Sequence, residues 1–508
     1  MVPARLEPSP PEVKAQFANI LELAKQTTLR SKLVNSIMKT ITTILCLLIT
    51  TQLPAADITG ETTWSGVVSV TELTTIRQGT LTIAPGTVVT FTGTGNLTLM
   101  PNTALMAGGT ASKPITFTGQ QAGTINGRNA TVQFEHCQFE GLGSASKYAI
   151  QISVTDKGAL LRQCRFTNMK TVAFSGEGLT IMSGCDFRTV AGGIEISTPG
   201  SEITDNTLQN SSIWFMRAEA PVIVRNNIVV DGTINGSLRG PHPEKRSVET
   251  TLVESNYVHN IAIGMNYGLL AITGTIRHNI TRGGMWSSCG VGGTITENVF
   301  ESITRAEIDK YAATGQKVLT HENILSPANG TRITHNLFLQ PSIGAIMGMG
   351  QGQLTDCVIE YNTFDLKIGQ VNGTNPLFLN HLSQTPFTNV VVRYNLFLRT
   401  GPIHDEKGFT NSLFICDYNL WADTFKDRFS KIVMTGKQAG DDGFGGHDVF
   451  STKDKSLHES DVVANPDFVF PFSDEDLLAR KHTVAECLEL YRAAYRLKAG
   501  LPAWGAIQ

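Results

Sequence analysis

A chain of 508 residues with 17% charged residues and a formal net charge of -3 has no excess of cations to draw in a nucleic acid. Its charged fraction is also below the roughly one quarter usual in soluble domains. The length would make about three compact domains, a prior that a repeat array escapes because each repeat packs only on its neighbours. Glycine, at 48 residues, and frequent Thr and Asn fit many short strands divided by tight turns.

Residues 1–37 differ from the rest of the chain, with PSPPE ahead of a predicted helix from Val13 to Lys32. At Met38 begins MKTITTILCLLITTQLPAA, with Lys39 as a positive start, an apolar run over Ile41–Ile49 and small residues at Ala55–Ala56. That outlines a secretory signal over 38–56; the run is too short for a permanent membrane span. The simplest reading starts translation at Met38 and makes 1–37 an upstream extension; an internal anchor or a buried helix is the alternative. No later stretch is long and apolar enough to cross a bilayer, so a secreted protein, extracellular or periplasmic, is expected.

A short phrase then keeps returning: VQFEHCQF, IMSGCDF, VIVRNNIV, GTIRHNI, RITHNLFL, VVVRYNLFL. Its Cys or Asn marks fall at uneven but similar intervals, at Cys137, Cys164, Cys185, Asn206, Asn227, Asn256, Asn279, Asn298, Asn323, Asn362, Asn395 and Asn419. Asn336 fits the phrase as well but follows Asn323 too closely, so one of the two is out of register. At ~3.3 Å per strand residue, a period of about 21 residues makes three short strands and three turns. That is one coil of a solenoid. Helical repeats would need long 3.6-residue periodicity, which is absent.

The Asn marks have a physical cause. A tight corner leaves backbone groups without ladder partners, and an Asn side chain satisfies them and tolerates left-handed angles. Stacked on its equivalent one coil away, it also bonds along the column. Cys137, Cys164 and Cys185 occupy the same slot at the coil period, which favours buried stacked thiols. A disulfide between neighbouring coils is open in an oxidising compartment, and a metal site is the remaining alternative.

The stretch Leu81–Gly119, LTIAPGTVVTFTGTGNLTLMPNTALMAGGTASKPITFTG, joins apolar–Pro–Gly turns to a Gly-Thr-Ala-Ser-x-Pro-Ile-Thr-Phe strand. With the repeats it resembles the right-handed parallel β-helix superfamily of secreted bacterial proteins, which includes pectate lyases and other polysaccharide-active enzymes. The resemblance covers roughly residues 60–425 and is carried by motifs of coil construction. It implies an all-β fold, a right-handed single-stranded parallel β-helix with about 21–24 residues per coil and a small C-terminal helical cap. The expected boundaries are an N-terminal cap at 57–79, the β-helix at 80–425, and a C-terminal loop and helix at 426–508 packing on the last coils. The helix is placed at about Ala479 to Lys498, with Leu478, Ala485, Leu488, Ala493 and Leu497 as its apolar contacts.

Chemistry in a solenoid sits where a turn swells. Three places qualify: Asp231–Glu249 (DGTINGSLRGPHPEKRSVE), Glu301–Lys317 (ESITRAEIDKYAATGQK) and Gly401–Gly408 (GPIHDEKG). Cations beside carboxylates suit an acidic sugar. In the resembled lyases an Arg or Lys acts as base, often with calcium neutralising a uronate, which makes Lys245, Arg246, Arg305 and Lys310 the catalytic candidates. His242, Glu244, Arg277, Arg282, Trp286, Glu307, Asp309 and His404 are the substrate-binding candidates, and Trp214, Trp286 and Tyr267 a candidate stacking platform. A hydrolase would instead need two carboxylates across a glycosidic bond. Against each stands the plain reading of solvated surface charge or stacked core aromatics. The Gly-rich loop with Asp441–Asp442 lacks the spacing of an EF-hand, so no metal ligands are named, and calcium is the one cofactor in view. The expected function is an exported carbohydrate-active enzyme, a lyase or hydrolase of an anionic polysaccharide; the alternative is a non-catalytic glycan-binding or structural surface protein. A monomer is expected, with a polysaccharide as partner.

Overall fold

A computed structural model describes most of residues 50–302, residues 309 and 313, strands and turns between 323 and 422, and residues 462–464 and 468–497. The repeating phrase winds into a coil with three short parallel strands per turn. One turn runs Ile194–Ser197, Glu202–Thr204, Thr207–Gln209, and the next Ile213–Phe215, Ile223–Arg225, Ile228–Val230. Each strand pairs in register with its counterpart one turn on: Ile194 with Ile213, Glu202 with Ile223, Thr207 with Ile228. Three walls result, called first, second and third in that order. The third is a 16-stranded sheet from Thr50–Leu53 to Leu420–Ala422. The first and second form one sheet because Ile125–Glu135, Tyr148–Arg162 and Trp286–Thr296 run through the corner between them.

Strict alternation builds the interior. In Thr80–Ile83 the side chains of Leu81 and Ile83 point inward and are buried, while Thr80 and Thr82 face out. Because coils are in register, like side chains stack on like. Phe117, Phe139, Phe166 and Phe187 form a column of parallel rings 4.5 to 4.8 Å apart, and Phe300, Phe338, Phe364 and Phe397 form a second. Each buried ring contributes about 1.5–3 kcal/mol; between the two columns Leu208, Val229, Val258 and Thr281 hold the same position.

The corner between second and third walls holds the polar column. From Asn206 through Asn395, each Asn gives its backbone N–H and its Nδ2–H to the Oδ1 of the next Asn, as Asn206 does to Asn227 at 3.0 Å and Asn256 to Asn279 at 2.9 Å. The series runs Asn206, Asn227, Asn256, Asn279, Asn298, Asn336, Asn362, Asn395, Asn419. Asn336 is therefore the ladder residue, and Asn323 lies on the first wall opposite Trp286. The thiols continue the column: the backbone N–H of Cys185 donates to Asn206 Oδ1 at 2.9 Å. Cys137, Cys164 and Cys185 are buried and free, and Cys164 Sγ donates to the carbonyls of Phe134 and Arg162. Among the described residues, the one ahead of each Asn ladder position is left-handed, as at Asn226, His278, His335, Tyr361 and Tyr394, with φ of 56° or 57°.

Two expectations about the ends need correction. Residues 57–79 are not a separate cap: Ala56–Thr59 and Thr62–Trp64 pair with Leu73–Gln78 and Thr80–Ile83 as ordinary coils. Thr50–Leu53, inside the expected signal, already pairs with Val67–Val70. At the other end, helices α1 (Asp474–Leu478) and α2 (Val484–Ala494) replace the single helix expected from Ala479 to Lys498. A capping box between Thr483 and Glu486 starts α2 at Val484 and sets its phase. Its inner face is Val484, Cys487, Leu488, Tyr491 and Ala494, leaving Ala485 and Ala493 exposed.

The described C-terminal residues, 468–497, lie along the outer face of the third wall. Arg480 donates to the carbonyls of Asn206 and Asn226, and the helices pack on Ile228, Val230, Tyr257, Ile280, Val299, Leu337, Leu339, Leu396 and Leu398. Earlier in the same wall the outward positions are polar, such as Thr116, Thr118, Gln138 and Glu140. The face turns apolar where the segment covers it.

Candidate functional site on the first wall

All three swollen turns border the first wall. Asp231–Glu249 leaves at the first-wall strand Ile234–Asn235, ahead of the second-wall strand Thr251–Glu254. Glu301–Lys317 leaves the third-wall strand Val299–Glu301 and leads into Asn323–Pro327 of the first wall. Gly401–Gly408 follows the third-wall strand Leu396–Leu398 and contains the first-wall strand His404–Asp405. The first turn follows Asn235, and the other two enter the wall further along the coil, at Asn323–Pro327 and His404–Asp405.

Ahead of the first turn runs an outward row set by register, Asn126, Gln151, Ala173, Glu195, Trp214 and Asn235, in which Ala173 and Asn235 are themselves buried. Buried Ile150, Val172, Ile194, Ile213 and Ile234 anchor it from within. Ala173, a short side chain between Gln151 and Glu195, leaves a depression in the row. Over that depression sits a hydrogen-bonded chain. The Lys147 ammonium donates to Tyr148 Oη at 2.7 Å, and the Tyr148 hydroxyl donates to Glu195 Oε2 at 3.2 Å. Lys147 Nζ is also 3.9 Å from Glu195 Oε1 and 4.6 Å from the Tyr148 ring centroid. Lys147 is 69% exposed and Glu195 19% exposed. A cation thus meets solvent while the carboxylate is tucked against the wall. Half-buried Trp214 follows Glu195 in the row, its indole edge over Gly193, where a Cβ would come within 3.1 Å of Nε1.

The predicted residues separate. Trp286 and Tyr267 are register partners on the first wall, and Trp214 shares that wall. His404 belongs to a first-wall strand paired with Phe378. Asp309 is exposed, its carbonyl accepting the N–H of Ala313. His242, Glu244, Lys245, Arg246, Arg305, Glu307 and Lys310 lie outside the described residues, as do Asp441 and Asp442.

Arg282 is a correction. It belongs to the third wall, is 5% exposed, and donates from Nε to Glu301 Oε2 at 2.6 Å beneath the C-terminal segment. Its guanidinium lies 4.7 Å from the Phe470 ring, so no polymer reaches it. Arg277 is on the second wall, paired to Glu254 at 2.8 Å, away from the first-wall row and from Arg282.

That second corner carries its own charged ridge. His278 bonds Glu297, and Arg332 and Arg393 both hold the buried Glu360. Burial, helped by Arg332, lowers the His335 pKa against the pull of Glu297 and Glu360. His335, Tyr361 and Tyr394 stack at 5.2 Å. Their facing surfaces are taken by one another, so this ridge shows solvent mostly ring edges.

Among the described residues no three His, Cys, Asp or Glu side chains converge as metal ligands. Sequence reasoning missed Lys147, Tyr148 and Glu195. The signal was present in Ile194-Glu195-Ile196, a lone carboxylate at an outward position. Its partners lie two coils earlier and become neighbours only once the register is known.

The sequence model of a family described as a right handed beta helix region matches residues 107–239, a description that fits the parallel coil of this structure. No curated protein sequence matches it significantly. Among solved structures, a PL6 alginate lyase in complex with a trisaccharide is 11% identical, with TM-score 0.31, covering 68% of this chain and 80% of that one. The periplasmic alginate epimerase AlgG is 9% identical, with TM-score 0.24, covering 70% and 76%. A PL6 family polysaccharide lyase from Pseudopedobacter saltans is 12% identical, with TM-score 0.24, covering 77% and 97%. Among the described residues no helix is long and apolar enough to cross a membrane.

Proposed function

We propose that this chain is an exported carbohydrate-active enzyme that cleaves an anionic polysaccharide lying along the first wall. The observation that carries the reading is the Lys147–Tyr148–Glu195 chain beside Trp214, on the first wall two coils ahead of the swollen turn that follows Asn235. An exposed ammonium suits a sugar carboxylate, and an indole suits the apolar face of a pyranose ring. A row of polar side chains on successive coils suits a polymer better than a compact ligand. Export rests on the MKTITTILCLLITTQLPAA segment.

The test is incubation with a panel of uronate-containing and neutral polysaccharides, with and without calcium. Cleavage of an acidic polymer, read as new reducing ends or as ultraviolet absorbance of an unsaturated uronate, supports the reading. Trp214→Ala is expected to weaken binding about 5- to 150-fold, by loss of a stacking contact of about 1–3 kcal/mol, the scale seen for aromatic stacking of bases. Binding of acidic polymers without cleavage would make the protein a glycan-binding module. Preference for neutral glycans would overturn the assignment of substrate charge.

A further inference from the structure

The Tyr148 hydroxyl does not sit as an ordinary surface phenol. Its oxygen accepts from one charged side chain and its proton points at another. That is the arrangement of a proton-transfer group: a carboxylate to receive the phenolic proton and an ammonium to stabilise the resulting oxyanion. The other described groups near Glu195 lack that capacity: Gln151 and Trp214 do not titrate in the useful range, and Ala173 is inert.

We propose that Tyr148 is the catalytic proton-transfer residue of a β-eliminative cleavage, with Lys147 at the reacting oxygen and Glu195 as the acceptor of its proton. The inference rests on the reading that an anionic polysaccharide occupies this wall, and adds the reaction and the residues. The steps balance without an external reagent. The phenolic proton passes to Glu195 Oε2 along the existing hydrogen bond, leaving a phenolate beside the Lys147 ammonium. The phenolate takes the proton at C5 of a 4-linked uronate, whose carboxylate acidifies that C–H. The C–H electron pair forms the C4=C5 double bond, and the bond from C4 to the glycosidic oxygen breaks. The same tyrosine hands its proton to the departing oxygen, and Glu195 returns the first proton to the phenolate.

A geometric consequence follows. One oxygen that both takes the C5 proton and protonates the leaving oxygen serves both from the same side of the ring. The substrate therefore carries H5 and O4 on one face. Of two 1,4-linked polyuronates that differ only in configuration at C5, the one with H5 and O4 cis is expected to be cleaved at least tenfold faster.

The test measures binding and turnover separately on the full chain. Binding is followed by tryptophan fluorescence with each of the two polymers, and turnover by absorbance of the unsaturated product. Tyr148→Phe removes one oxygen and keeps the ring, so the expected result is unchanged binding and a 10²–10⁴-fold loss of kcat, the usual share of a positioned acid–base group. Lys147→Arg, which keeps the cation, is expected to retain more activity than Lys147→Gln. Glu195→Gln, which removes the proton acceptor, is expected to move the rising limb of the pH–rate profile upward without changing binding; a purely structural Glu195 would leave that limb in place. Turnover by Tyr148→Phe at the parent rate, or faster cleavage of the trans polymer, would overturn the proposal while leaving the polysaccharide reading intact. Failure of the parent protein to bind either polymer would overturn both.

Discussion

The Asn column makes a sharp prediction at Asn256. Its Nδ2 donates to the carbonyls of Val224 and Glu254 and to Asn279 Oδ1, at 2.9, 3.1 and 2.9 Å. Its Oδ1 accepts the backbone N–H and the Nδ2–H of Asn227, at 3.0 and 2.9 Å. Asn256→Leu keeps the number and branching of the side-chain heavy atoms, is somewhat bulkier, and deletes all of these bonds. The backbone N–H of Asn227 and the carbonyl of Val224 then lose that partner inside the coil, at about 1–3 kcal/mol each. The predicted loss is about 2–6 kcal/mol. Cys164→Val, in the same column but among thiols, changes weaker bonds and similar volume and is expected to cost below about 1.5 kcal/mol. Guanidinium unfolding followed by circular dichroism reads the difference, and hydrogen exchange at the Asn227 amide localises it. An Asn256→Leu cost below about 1 kcal/mol, or an Asn227 amide protected as before, would refute the view that the column works by satisfying buried backbone groups.

Acid should loosen the C-terminal segment. Asp474 is buried, which alone raises its pKa, but the charge and hydrogen bond of His259, with Arg282 and Tyr257 beyond, bring it below the ordinary carboxylate value. A depressed folded pKa means stability that is present above about pH 4 and lost as pH falls through the folded value. Limited proteolysis of the segment should rise at that acid end, and Asp474→Asn should flatten the dependence; an equal acid response in the variant would show that another group controls it. The thiols are expected to stay unreactive in the folded protein. Burial pushes Cys357 up to about 11 and Cys487 up to about 12, so thiol reagents should modify them only with denaturant, and rapid labelling in native buffer would contradict the packing.

The coil was legible because its cause is local and repeated. One Asn or Cys per turn, a left-handed residue before it, and alternating apolar positions recur often enough to fix the period. Asn323 misled because its surroundings, THENIL, copy the corner phrase while its strand belongs to the first wall. The site was legible only at its edges. Swollen turns show in a sequence as irregular spacing, so the wall they border could be found. The Tyr148–Glu195 bond joins residues 47 apart, and no local pattern carries such a contact. Arg282 was misread because a lone cation on a strand looks solvent-facing until the covering segment, far later in the chain, is placed.

The cover over Arg282 has a logic that a further variant can test. Successive coils are alike, so an apolar face made of Ile228, Ile280, Val299, Leu337 and Leu396 would hold α1 and α2 almost equally well one coil out of place, a shift of about 4.8 Å. The charges break that degeneracy: Asp474 finds His259 and Tyr257 on one coil, and Tyr491 donates to Glu301 at 2.5 Å two coils on. Buried ion pairs contribute little net stability but fix register. Arg282→Ala leaves Glu301 buried without its cation and should cost about 3–5 kcal/mol. Arg282→Met combined with Glu301→Leu removes both charges and should recover most of that loss. What the double variant should not recover is a single docking position, seen as multiple exchange classes for the amides of Val484–Ala494. A double variant as uniquely docked as the parent would mean that the apolar contacts alone choose the register.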